Sequence, residues 1–259
     1  MNKISIVIPA HNEEKRIGKT LDEYLNFFRR VREQGLDFEI VVALNACSDR
    51  TLEIVKSKKA KEVFILDLKR PGKGFAVIEG FKDSLKRNAD VIGFVDADAA
   101  TSPAAFYHLM MHLLNNDGAI ASRYVPGAIM RPKPTLQRML VSRAYNAVIR
   151  GMFLLSFRDT QCGAKIFRRE AIKSIVDNMI MTKWAFDLEL LFRAKKSGFR
   201  LVEVPTIWSD KEYSKINAMT AGPIMLLGII RLRLLHSPLN RLIRVYDFGS
   251  EILRKIIKK

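Results

Sequence analysis

The chain is poor in cysteine: Cys47 and Cys162 are its only two among 259 residues. That excludes a disulfide framework, and neither has neighbours at zinc-finger spacing, so a reduced, cytosolic setting is expected. It also lacks a long apolar run. The longest candidate, Pro223-Ile224-Met225-Leu226-Leu227-Gly228-Ile229-Ile230, stops at Arg231, short of the roughly 18 residues a spanning helix needs. The N-terminal run Ile4-Ser5-Ile6-Val7-Ile8 is cut by Pro9, too early for a signal peptide, and reads as a first buried strand. Internal repeats and low-complexity tracts are missing too. Acids are scarce beside bases, 27 against 44, giving a net charge of +17. Such an excess points to an anionic partner: nucleic acid, anionic lipid or a phosphorylated substrate.

What is there describes a folded globular protein, with 48% hydrophobic and 27% charged residues. Apolar, β-branched runs at 4–8, 38–44, 63–66 and 91–95 alternate with helical spacing over 13–32, 51–58 and 74–86. This alternation predicts an α/β fold with a mostly parallel sheet covered by helices on both faces. Ligands of such sheets bind at the carboxyl ends of the strands. A further strand precedes Ser122-Arg123-Tyr124, a basic, proline-containing loop holds Arg131-Pro132-Lys133-Pro134, and helices are expected over 136–155 and 184–196, with a strand at 201–205.

The chemistry concentrates where strands end. Phe94-Val95-Asp96-Ala97-Asp98 places two carboxylates one residue apart at the tip of the fourth strand. Such hard oxygen ligands suit Mg2+ or Mn2+, which neutralise a diphosphate. At the first strand, Pro9-Ala10-His11-Asn12-Glu13 forms a polar elbow, with Asn12 expected to cap the next helix and Glu13 to lie in its first turn. An α/β nucleotidyltransferase would carry a glycine-rich loop at that place. A nucleic-acid module would not put acids at the ligand edge, where they repel a polyanion, so nucleic acid is not expected as a partner.

In this order, these motifs resemble the family 2 glycosyltransferases of the GT-A (nucleotide-diphospho-sugar transferase) fold. The elbow is similar to their Pro-Ala-Tyr-Asn-Glu, with His11 in place of tyrosine. Leu44-Asn45-Ala46-Cys47-Ser48-Asp49-Arg50-Thr51 stands where they carry Asp-Asp-Gly-Ser-x-Asp-x-Thr. Pro71-Gly72-Lys73-Gly74 resembles their Gly-Lys-Gly element, Asp96-Ala97-Asp98 their metal motif, and Ser122-Arg123 their Gly-Ser-Arg ending. Asp159-Thr160-Gln161-Cys162-Gly163-Ala164-Lys165-Ile166-Phe167 and Asp96-Ala97-Asp98-Ala99-Ala100-Thr101 are similar to segments of dolichyl-phosphate glucosyltransferases. The related dolichol-phosphate mannose synthases usually carry glutamine where Ala100 stands. The likeness runs from Ile4 to about Trp208. Asn45 departs from a base-contacting aspartate and Ala43 from valine.

The resemblance implies an inverting, metal-dependent transfer of a hexose, glucose favoured, from a nucleoside-diphosphate sugar to a polyprenyl (dolichyl) phosphate. UDP-glucose is the favoured donor and GDP-mannose the alternative; another sugar or a non-lipid acceptor stays open. Asp96 and Asp98 would hold Mg2+ or Mn2+. Pro9, His11, Glu13, Asn45, Lys73, Ala97 and Arg123 would contact the donor, Arg131 and Lys165 the acceptor phosphate. Asp159 and Asp187 join Asp98 as catalytic candidates, against the rival readings of a turn cap and of a structural pair with Arg193 or Lys183. No role is expected for His108, His112 or His236.

From about Tyr213 the character changes: residues 211–259 hold ten Lys/Arg against three acids, interleaved with Leu232, Leu235, Leu239, Leu242, Ile243, Ile252, Leu253, Ile256 and Ile257. This predicts a catalytic domain at 1–212 followed by basic amphipathic helices at 213–259. Such helices can lie in a membrane interface, or pack on the catalytic domain or a partner chain. The expected place is peripheral, at the anionic cytoplasmic face of the cell membrane, with room for a separate membrane subunit.

Overall fold

The computed structural model describes residues 1–181, 185–209 and 218–257. Within them the first half winds as β1 (Lys3–Ala10), α1 (Ile17–Arg32), β2 (Asp37–Asn45), α2 (Thr51–Ser57), β3 (Val63–Leu68), α3 (Lys73–Lys86) and β4 (Val91–Val95). These four strands pair in parallel, with Ile6 beside Ile40 of β2 and Gly93 of β4. Their runs are apolar throughout because helices cover both faces. Alternate residues of β1 divide between two cores. Ile4, Ile6 and Ile8 pack with Leu21, Tyr24 and Phe28 of α1, while Val7 faces Phe81 of α3. The expected alternation is therefore the one observed, and β1 and β2 end side by side, Pro9 opposite Ala43.

Three features escaped the pattern. After α4 (Pro103–Met111), whose Ser102 cap and Pro103 start are readable in retrospect, β5 (Gly118–Ser122) joins the sheet through β7 (Ala164–Arg168). β7 runs antiparallel to both β4 and β5, and β8 (Leu201–Pro205) pairs in parallel with β5 at the edge. The order is β3-β2-β1-β4-β7-β5-β8. A fully buried Lys165 is the second residue of β7, breaking the apolar run that marks a buried strand. A second, two-stranded sheet joins β6 (Ile129–Arg131) to β9 (Ile207–Ser209).

The remaining helices are α5 (Leu136–Phe153), α6 (Arg169–Ile175), α7 (Phe186–Lys196), α8 (Ala218–Leu235) and α9 (Ile243–Ile257). α8 is packed on the catalytic core: Ile229 and Leu232 are fully buried beside Phe153 and Leu188. Leu232 is thus a core residue, as in the reading that packs this segment on the catalytic domain. α9 is tied back to α8 by the Arg231–Asp247 pair at 2.7 Å and by Tyr246 donating to the Leu227 carbonyl at 2.6 Å. It leaves Val245, Phe248 and Leu253 exposed on one side. No described helix is long and apolar enough to cross a membrane. The expected boundary at Tyr213, the helix start at Trp184, and Lys183, Lys211, Lys215, Lys258 and Lys259 lie outside the described residues.

The elbow after β1 differs from expectation. Asn12 takes a left-handed backbone (φ 54°) and does not cap α1; its Oδ1 accepts from the Ser48 amide at 2.8 Å. α1 starts four residues later than expected, at Ile17, so Glu13 precedes its first turn. The Glu13 carbonyl accepts from the Arg16 and Ile17 amides, and its carboxylate grips Arg16 through two bonds of 2.6 Å.

Candidate active site

The sharp loop after β4 is held from three directions. Thr20 and Tyr24, one turn apart on α1, donate to the carbonyls of Ala97 at 2.7 Å and Thr101 at 3.0 Å. The Asp98 Oδ1 accepts from the Ala100 amide at 2.9 Å around Ala99, which has φ 53°. Ser209, the last residue of β9, donates its amide to the Ala100 carbonyl at 2.9 Å. Beneath the loop, the Asp96 amide donates to the Gly163 carbonyl at 3.0 Å. A β-carbon on Gly163 would collide with the Asp96 carboxylate, so the glycine after Cys162 is what lets this acid sit against β7.

Both carboxylates are only half-buried, and their charges are incompletely matched. Burial and then the neighbouring Asp96 push the Asp98 carboxyl above its usual range, against opposing pulls from the Ala100 amide, Arg16 and Lys73. Lys73, at the start of α3, places Nζ 2.6 Å from Asp96 Oδ1. Burial works against its charge, but Asp96 and then Asp187 raise its pKa. Among the described residues no three His, Cys, Asp or Glu side chains gather as a complete metal cage. Two hard, mutually repelling carboxylates nonetheless fit Mg2+ or Mn2+, ions that keep part of their coordination for substrate phosphates and water.

At the same sheet edge, the expected nucleoside-pocket residues lie together. Pro9 is buried at the end of β1 and Ala97 is buried in the core, while His11 is exposed and its Nδ1–H donates to the Asn45 carbonyl at 2.5 Å. Asn45 ends β2 and accepts on Oδ1 from the Gly72 amide at 2.7 Å. Gly72 has φ 139°, a conformation only glycine holds without strain, so β2 positions the turn that presents Lys73.

The other candidates are arranged differently. Asp159 is fully buried, and both its oxygens meet Arg123, at 2.7 and 2.9 Å. Burial would raise its pKa, but Arg123 holds it below the usual range. The structure thus brings two expected site residues, Asp159 and Arg123, together as an ion pair. Lys165, expected at the acceptor phosphate, has no exposure and bonds the Cys162 carbonyl at 2.7 Å and Asp187 Oδ1 at 2.6 Å. Asp187 pairs with Lys165, not with Arg193; it is Glu189 that takes Arg193, at 2.7 Å, together with the Ile180 and Met181 amides. Arg131 is exposed at the end of β6. Thr20, Tyr24, Arg16 and Gly163 are contributors that sequence reading missed, because only the folded chain brings them to the acids.

Residues 5–176 match the family described as glycosyl transferase family 2. A dolichyl-phosphate beta-glucosyltransferase of Trichomonas vaginalis is 32% identical over 245 residues, covering 90% of this chain and 73% of that protein. A glycosyltransferase of Haloferax volcanii is 32% identical over 83% of this chain, which spans only 34% of that longer protein. Among solved structures, glucosyl-3-phosphoglycerate synthase from Mycobacterium tuberculosis, in complex with Mn2+, UDP and glucosyl-3-phosphoglycerate, superposes with a TM-score of 0.65. It is 20% identical, covering 91% of this chain and 79% of that one. With the strand order and the acid loop in hand, these likenesses agree on the GT-A fold, and the chain is an enzyme belonging to glycosyl transferase family 2.

Proposed function

We propose that this enzyme transfers a hexose, glucose favoured, from a nucleoside-diphosphate sugar to a polyprenyl phosphate, working peripherally at the cytoplasmic membrane face. The observation that carries the reading is the surplus of negative charge at Asp96 and Asp98, held open at the ligand edge by α1 and Gly163. The dolichyl-phosphate glucosyltransferase relative supports the acceptor and sugar, and the UDP-bound structural neighbour the donor.

When bound between Asp96 and Asp98, Mg2+ or Mn2+ would offset charge on the departing diphosphate, the main electrostatic demand of this reaction. Lys73 turns its ammonium from Asp96 toward that same phosphate charge. Pro9, His11, Glu13 and Asn45 bind the nucleoside at the ends of β1 and β2. The acceptor phosphate already carries its negative charge, so its oxygen attacks the anomeric carbon as the bond to the nucleoside diphosphate breaks, without a strong general base. Arg131, exposed at the end of β6, meets that acceptor. The exposed Leu242, Val245, Phe248 and Leu253, with Arg241 and Arg244, support an interfacial role for the C-terminal segment.

The test incubates the protein with Mg2+ or Mn2+, a polyprenyl phosphate and labelled UDP-glucose or GDP-mannose. Labelled lipid from UDP-glucose that vanishes with chelator is expected. Label only from GDP-mannose overturns the sugar, and labelled soluble product without lipid overturns the acceptor.

A further inference from the structure

Residues 118–158 contain seven Lys/Arg and not one Asp or Glu. Within this stretch the fold gathers Arg143, Arg150 and Arg158 around a pocket of about 250 Å³, completed by Tyr124 and Asn146. All three arginines are exposed, and no carboxylate among the described residues forms an ion pair with them. The floor is tied together by hydrogen bonds. Buried Asn146 accepts from the Thr160 amide and hydroxyl at 3.0 Å and donates to the Ser142 carbonyl, and the Tyr124 hydroxyl meets Ser142 Oγ at 2.8 Å. None of Lys73, Asp96 and Asp98 lines the pocket, so its charge is not spent on the acid loop.

The helix that supplies two of these arginines also bares apolar side chains. Leu136, Leu140, Val141 and Val148 on α5, and Leu154 just beyond it at 90% exposure, point to solvent. Free phosphate would be served by the arginines alone; a row of exposed aliphatics beside them matches an anion attached to a hydrocarbon phase. We infer that the Arg143/Arg150/Arg158 pocket seats the phosphate of an anionic bilayer lipid, with the bare side of α5 resting in the interface. This is a second membrane contact, apart from the reacting acceptor and from the C-terminal segment of the proposed function. It rests on the membrane part of that reading alone.

The test is sedimentation of the full chain with vesicles of phosphatidylcholine, with and without phosphatidylglycerol. Each of Arg143→Gln, Arg150→Gln and Arg158→Gln should weaken binding to the anionic vesicles about fivefold, with unchanged thermal unfolding. Val148→Gln should weaken binding to both kinds of vesicle. If the arginine variants bind like the wild type while Phe248→Gln does not, the pocket inference falls and the C-terminal membrane contact stands. If the wild type binds neither vesicle, both fall. Calorimetry with inorganic phosphate supplies the other arm: phosphate heat lost in the triple arginine variant with vesicle binding intact would reassign the pocket to a soluble phosphate and overturn the lipid.

Discussion

Asp96 and Asp98 share their residue type with Asp159 and Asp187, yet the two regions treat the charge in opposite ways. In the loop after β4 the carboxylates stay half-buried, crowd one another and are only partly offset by Lys73 and Arg16. On the β5–β7 side each buried acid has its own cation, the largely buried Arg123 for Asp159 and the fully buried Lys165 for Asp187. An acid matched inside the protein is part of the scaffold, because removing one partner strands the other in low dielectric. An acid left undermatched at a strand tip keeps its affinity for something that arrives later. Burial and pairing, not residue type, separate the two pairs of acids, and in the proposed function the undermatched pair is the one that holds the ion.

The largest effect that would sharpen this contrast is on turnover. Asp98→Asn should lower sugar transfer about a thousandfold while thermal unfolding stays within a few degrees of wild type; equal losses of activity and stability would erase the distinction. Asp159→Asn should do the reverse, costing about 3–5 kcal/mol in urea unfolding because Arg123 is left buried and unpaired. A milder and more specific break is Gly163→Ala. Its methyl group would displace the Asp96 carboxylate, and a shift of about 1 Å at such a group is worth about a hundredfold in rate, read alongside weaker Mn2+ binding.

The smallest effect concerns a third acid. Glu62 lies under Arg29 and Arg32, whose hydrogen bonds, Arg29 foremost, pull its carboxyl from 4.5 to about 2. A lowered folded-state pKa gives stability that is present above the unfolded value and is lost as pH falls toward the folded one. Glu62→Gln should therefore flatten the acid limb of the stability curve between about pH 4.5 and 2, removing on the order of 2 kcal/mol after allowance for the half-exposed Arg29. An acid limb unchanged by the substitution would show that the arginine pair is screened out by solvent.

Much of this was legible because the physics is local. A strand buried on both faces must be apolar throughout, so β1, β2, β3 and β4 stand out in the chain, and polar residues after each tip identify the ligand edge. Asp96 and Asp98 are separated only by Ala97, and their placement after β4 needed nothing beyond that pattern. β7 was hidden because Lys165 interrupts it, and a buried lysine makes sense only once Asp187, 22 residues away, is folded against it.

From sequence alone came the α/β order, the acid pair, the basic excess and the family resemblance, all properties of neighbouring residues or of counts. The tertiary structure alone decided which acids are matched. The Asp159–Arg123 bond spans 36 residues and the Thr20 contact with the Ala97 carbonyl spans 77. Pairings at that separation depend on the register and packing of the whole sheet, which no short stretch of chain encodes.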